Sequence, residues 1–195
     1  QTARISTNNE VVPLCFGACF NVSPKLTNVA THEYQVHESA VNDITAVRDN
    51  GVAVAYTKNL ANGKFTLNAQ PAGQITADVV ETASGGTVAG IVQTLLRRRF
   101  PSETLNTSFT MSSPIGIYID HDRDILECIE EVAKTAGAVL TVSRTDGFWL
   151  HRLETPSGLT SVTTFEPDDI EQGSLKISKA ELPKLSVVLG AEHNW

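Results

Sequence analysis

Residues that announce chemistry are scarce in this chain of 195 residues. It has one methionine, Met111, three cysteines, and aromatic residues at only 6%. Charged residues make up 19%, and Lys+Arg 15 against Asp+Glu 22 leaves a formal net charge of −7. That balance argues against a duplex-DNA binder, which needs Lys and Arg to displace counterions from phosphate. No apolar run approaches the roughly 18 residues that a membrane-spanning helix requires. Residues 1–10 are polar and lack the apolar centre of a signal peptide. The odd cysteine count suits a reducing compartment better than a disulfide framework. Cys15 and Cys19 fall in a stretch that reads as extended, which would set them about 13 Å apart on one face. A disulfide needs Cα atoms within about 7 Å, so Cys15, Cys19 and Cys128 are expected to be buried free thiols.

What is present is enough apolar matter for a core: 41% hydrophobic residues and 13 Gly. The length fits one large domain or two small ones. The chain starts at Gln1 and stops at Trp195 beside the apolar run 185–189, and is expected to be a piece of a longer polypeptide. Its 21 Thr and 19 Val lean towards strands. Residues 11–22 are apolar but broken by Pro13 and Gly17, which predicts an edge strand or a bulge. Residues 33–38 alternate around Tyr34 and Val36. Runs 44–47 and 52–56 flank Asn50-Gly51, a hairpin signal. Runs 65–69 and 75–80 flank Pro71-Ala72-Gly73, where the glycine is expected to take the left-handed position.

The middle third changes period. Val88, Ile91, Val92, Leu95 and Leu96 define one face of a helix that follows Ser84-Gly85-Gly86-Thr87 and ends before Pro101. Asp124 and Glu127 resemble a capping box, Ile125, Ile129, Val132, Ala133 and Ala136 form a second apolar face, and Gly137 closes that helix. Strands 138–143 and 148–153 follow, joined through Thr145-Asp146-Gly147. Short strands are expected again at 161–165, 175–177 and 185–189. The fold class is therefore α+β. Residues 1–75 form a β-rich segment, 76–153 an α/β unit with two helices and a hairpin, and 154–195 a second β-rich segment packing with 1–75.

Asp120, Asp122 and Asp124 have calcium-loop spacing, with Glu131 at the last ligand position. Ile125, however, stands where the loop requires glycine, so these acids read as the approach to a helix N-terminus. Ser84-Gly85-Gly86-Thr87 lacks the Lys-Ser/Thr of a P-loop and reads as a loop with Thr87 as N-cap. Arg97, Arg98 and Arg99 read as a solvated helix end that complements the dipole. His32, His37, His121, His151 and His193 are scattered and form no metal pair. No nucleophile elbow or Cys–His signature occurs. No catalytic, cofactor-binding or metal-ligating residue is assigned, and no cofactor is expected.

The order of four stretches resembles a known family. They are Val12–Gly17 with Asn21–Leu26, Tyr34–Val36 and Val47–Val52; Ala72–Val79 with the helix ending at Leu96; Gly116–Ile119 with the second helix and Thr145–Leu150; and 185–190 with Asn194-Trp195. Together they resemble the hub or tail-tip proteins of bacteriophage tails and baseplates, virion structural proteins of phages and prophages. The resemblance implies barrel-like β-rich ends with an α/β insertion. It also implies assembly of copies into a ring, commonly a trimer, in contact with other tail-tube and baseplate proteins. DNA would meet it only in passage through a channel, and no membrane insertion by this stretch is implied. Its place would be the virion tail tip, assembled in the bacterial host cytoplasm. An enzyme is not expected. The alternatives are a carbohydrate-binding module, for which exposed aromatics such as Trp149 and Trp195 would have to share a face, and a cell-wall hydrolase domain.

Overall fold

The structure, a computed structural model, describes residues 11–152 and Glu166. The strands expected at 161–165, 175–177 and 185–189, and the packing of 154–195 with 1–75, lie outside the described residues. Five short strands open the chain: β1 (Leu14–Val22), β2 (Lys25–Asn28), β3 (Glu33–Gln35), β4 (Asp43–Asp49) and β5 (Val52–Ala53). They are followed by β6 (Tyr56–Asn59), a 3-10 turn (Leu60–Asn62), β7 (Lys64–Leu67) and β8 (Ile75–Glu81). Then come α1 (Val88–Arg99), β9 (Leu105–Thr107), β10 (Gly116–Ile119), α2 (Ile125–Thr135), β11 (Ala138–Ser143) and β12 (Gly147–Arg152). The architecture is mixed α+β and strand-rich, and none of its sheets closes into a barrel among the described residues.

Three sheets result, in the orders β10-β1-β8-β4-β5, β2-β3-β7-β6 and β11-β12-β9. The first draws on both the first and the middle third of the chain, because β8 and β10 flank β1. Of the two expectations for this stretch, the bulge is present, between Cys19 and Val22, and the edge position is corrected: β1 is central, paired antiparallel on both sides. Pro13 precedes the strand and so removes no ladder hydrogen bond within it. Gly17 lies inside it at φ +75°, and a Cβ there would stand 1.9 Å from the Ile115 carbonyl oxygen. Only glycine fits both that backbone and that approach.

β1 and β10 form a wall between two cores. Leu14 and Phe16 of β1, with Ile117 and Ile119 of β10, face the helices. Cys15 and Cys19, with Tyr118, face the four-stranded sheet, where Tyr34, Phe65 and Leu67 pack. Val22 joins this second core despite its even number, because the register shifts between Cys19 and Val22. The bulge turns the strand over by one residue.

Helix α1 buries Val88, Ile91, Val92, Leu95 and Leu96, the five positions that its period selects. Burying each is worth about 2 kcal/mol against leaving it in water. Thr87 caps it by accepting the Gly90 N–H at 3.3 Å. Asp124 caps α2 through the Leu126 N–H at 2.7 Å. The Asn50-Gly51 turn joins β4 to β5 with φ of +49° and +81°. Pro71-Ala72-Gly73, by contrast, joins strands of different sheets, and Gly73 has no positive φ. Its lack of a side chain makes room for Asn50, whose amide would lie 2.1 Å from a Cβ.

Candidate functional site

An apolar cleft lies where α2 and the β11–β12 hairpin diverge. Leu126, Glu130 and Lys134 lie on one row of α2, four residues apart, just off its buried stripe. On β11, Ala138, Leu140 and Val142 share the face that looks towards the helices, opposite Arg152, Leu150 and Phe148 of β12. Burial falls away along this face, from Ala138 at 4% exposure to Val142 at 69%, as the strand runs past its helical cover. Phe100, the residue after α1, closes one end with its ring 5.1 Å from that of Phe148. The cleft so formed has a volume of about 640 Å³. Of the eight large apolar residues exposed in the described structure, Phe100, Leu126, Val139 and Val142 all line it. These four residues are gathered at one place rather than scattered. Its charges are Glu130 and Lys134, paired with each other at 3.6 Å.

The cleft adjoins a strand edge that is unpaired among the described residues. β11 ends its sheet, so the N–H and C=O groups on its outer side have no strand partner among the described residues. Its six residues, Ala-Val-Leu-Thr-Val-Ser, include no charge and no proline. Edges are usually protected by such residues. β2 and β6, edges of the four-stranded sheet, carry Lys25 and Lys58, and the edge strand β10 is largely buried. β11 thus combines an unprotected edge with an apolar face.

The residues singled out from sequence are not gathered into a site. Asp124 caps α2, Glu131 accepts from Arg123 at 2.6 Å, Asp120 contacts His121 at 2.6 Å, and Ile125 packs against the core. No cluster of three or more metal-ligating side chains occurs among the described residues. The loop before α1 already has its anion: buried Glu81 accepts from the Ser84 hydroxyl at 2.7 Å, the Ser84 N–H at 3.1 Å and the Gly17 N–H at 3.4 Å. A phosphate at those donors would have to displace this carboxylate. Arg97 is exposed as expected, but Arg98 is not a solvated helix end. It pairs with Glu38 and lies over the Phe16 ring at 5.4 Å, while its Nε is buried without a partner.

Cys15, Cys19 and Cys128 are free and buried. The Cys19 thiol donates to the Phe16 carbonyl at 3.6 Å. The Cys19 thiol, with burial, pushes the Cys15 pKa up. His37 is buried, and its Nδ1 accepts the Cys15 N–H at 2.9 Å. Trp149 and His151 stack at 5.4 Å on the face of β12 opposite Leu150, while His193 and Trp195 lie outside the described residues.

Sequence reasoning passed over the cleft and Glu81, and gave His37 no role. The signal for the cleft was present in Leu126, one step off the α2 stripe, and in β11, whose six residues carry no charge. No helix among the described residues is long and apolar enough to cross a membrane. Comparison with family models, curated proteins and solved structures found no match.

Proposed function

We propose that the chain is a non-enzymatic assembly module of a bacteriophage or prophage tail, from the hub or tail-tip region of the baseplate. The resemblance set out above motivates the identity. The observation that carries the reading is the uncharged β11 edge beside an apolar cleft, a surface suited to being gripped by another polypeptide. The reading includes copies of the chain in a ring with neighbouring tube and baseplate proteins. It also includes barrel-like β-rich ends. The net charge of −7 is compatible with a channel through which DNA slides, since a basic lumen would hold phosphate back.

Imaging of virions with the full-length parent labelled tests this directly. Density at the tail tip is the expected result, and label confined to the bacterial surface would overturn it. The carbohydrate-binding alternative draws on the stacked Trp149 and His151 rings. It predicts glycan binding by the isolated chain that is lost in Trp149→Ala.

A further inference from the structure

β11 is not only exposed; it is complementary to itself. We infer that β11 pairs with β11 of a second copy, antiparallel about a twofold axis at Leu140. The proposal rests on the assembly reading only in taking this surface as a contact between polypeptides: a twofold contact joins copies in pairs and does not itself build the ring.

Three observations favour a second copy. The first is charge. Two molecules of net charge −7 repel, and β11 offers six uncharged residues flanked by a Glu130–Lys134 pair that already neutralises itself. A like-charged copy can approach there without a repulsive contact. The second is register. Antiparallel pairing about an axis perpendicular to the sheet keeps each residue on its own face, so only residues of one face can stand opposite each other. With Leu140 on the axis, Leu140 meets the partner's Leu140, Ala138 meets the partner's Val142, and Val139 meets the partner's Thr141. The face towards the helices then continues unbroken from one copy to the next, and Val142, 69% exposed in one copy, gains an apolar cross-strand neighbour. The third is complementarity beyond the strand. Continued past its end, the same register carries the exposed Arg144 towards the partner's Ala136, at the C-terminus of α2. Helix carbonyls are electronegative there and favour a cation. A contact in which each copy supplies the same patch closes on itself.

The test uses the full chain. Sedimentation equilibrium should show a concentration-dependent dimer by about 100 µM, where an interface of ordinary size is populated. Val139→Lys places a charge on the exposed edge and should weaken the dimer at least tenfold, with the circular dichroism and melting of the chain unchanged. Register is read by disulfide trapping with oxidised glutathione. A mixture of Val139→Cys and Thr141→Cys chains should cross-link, and each chain alone should not. The native thiols do not interfere, because all three are buried. Homodimer cross-links in Thr141→Cys alone would overturn the Leu140 register. A dimer insensitive to Val139→Lys would overturn the β11 interface while leaving the assembly reading standing. A strict monomer would overturn the inference, and the tail-tip location is then decided separately by the labelled virion.

Discussion

The imidazole of His37 accepts the backbone N–H of Cys15 at 2.9 Å, tying the segment after β3 to the central strand β1. Acceptance at Nδ1 requires a neutral ring with its proton on Nε2. The ring stands edge-on to Phe16 at 5.7 Å and is 4% exposed. Burial lowers its pKa. The carboxylates of Glu81 and Glu38 pull in the opposite direction but do not overcome burial, and Arg98 adds to the lowering.

This gives a pH dependence of definite sign. The unfolded histidine, near its ordinary value of 6.5, gains its proton before the folded one does. The stabilisation is therefore complete above that value and is lost as pH falls towards the lowered folded pKa. Urea midpoints should drop as pH is lowered below about 6.5. In His37→Asn, whose amide oxygen can take the Cys15 N–H, that drop should be flattened. An equal slope in both chains would show that another group carries the effect.

A second lock lies on the β4–β8 pairing. Arg48 Nη1 and Nη2 donate to Asp78 Oδ1 and Oδ2 at 2.8 and 2.7 Å, and Oδ1 also accepts the Asn21 N–H at 2.8 Å. The guanidinium holds the Asp78 pKa below the usual carboxylate range. Asn21 has φ +52° at the bulge of β1, so Asp78 fixes a backbone that few residues adopt. Asp78→Ala should cost about 2 kcal/mol in chemical denaturation, through loss of the carboxylate that the Asn21 N–H and the partly buried Arg48 guanidinium both donate to.

Gly90 tests whether close approach outweighs helix propensity. Alanine in the middle of an exposed helix would gain about 1 kcal/mol over glycine. Here its Cβ would stand 1.9 Å from the Ser84 carbonyl oxygen, a backbone atom that cannot move without disturbing the Glu81 contacts. Gly90→Ala should therefore destabilise the chain by about 2 kcal/mol, the usual scale of overpacking. A gain in melting temperature would contradict this.

The thiols should be silent in the folded chain. Burial raises the pKa of Cys128, and the Cys19 thiol together with burial raises that of Cys15. Thiolate, not thiol, is the reactive form. Disulfide-exchange reagents should label none of the three at pH 7 within minutes and all three once urea unfolds the chain. Rapid labelling of one thiol before unfolding would show that its core opens locally.

Local order was legible from residue pattern alone. Both helices, their caps at Thr87 and Asp124, the Asn50-Gly51 turn and the β11–β12 hairpin follow from period, capping chemistry and backbone preference, all of which act over a few residues. The five buried positions of α1 were selected by spacing, because a helix faces its core every three or four residues. Central or edge position is different: Pro13 and Gly17 look the same in sequence whichever strand they border, and only the arrival of β8 and β10 on either side made β1 central. The same holds for Glu81, whose role as the anion beneath Ser84 depends on Gly17, 64 residues away in the chain. Apolar residues such as Leu126 and Val142 were readable as apolar. Whether they would be buried was decided by where α2 ends its cover of β11, since burial belongs to the assembled surface and not to the residue.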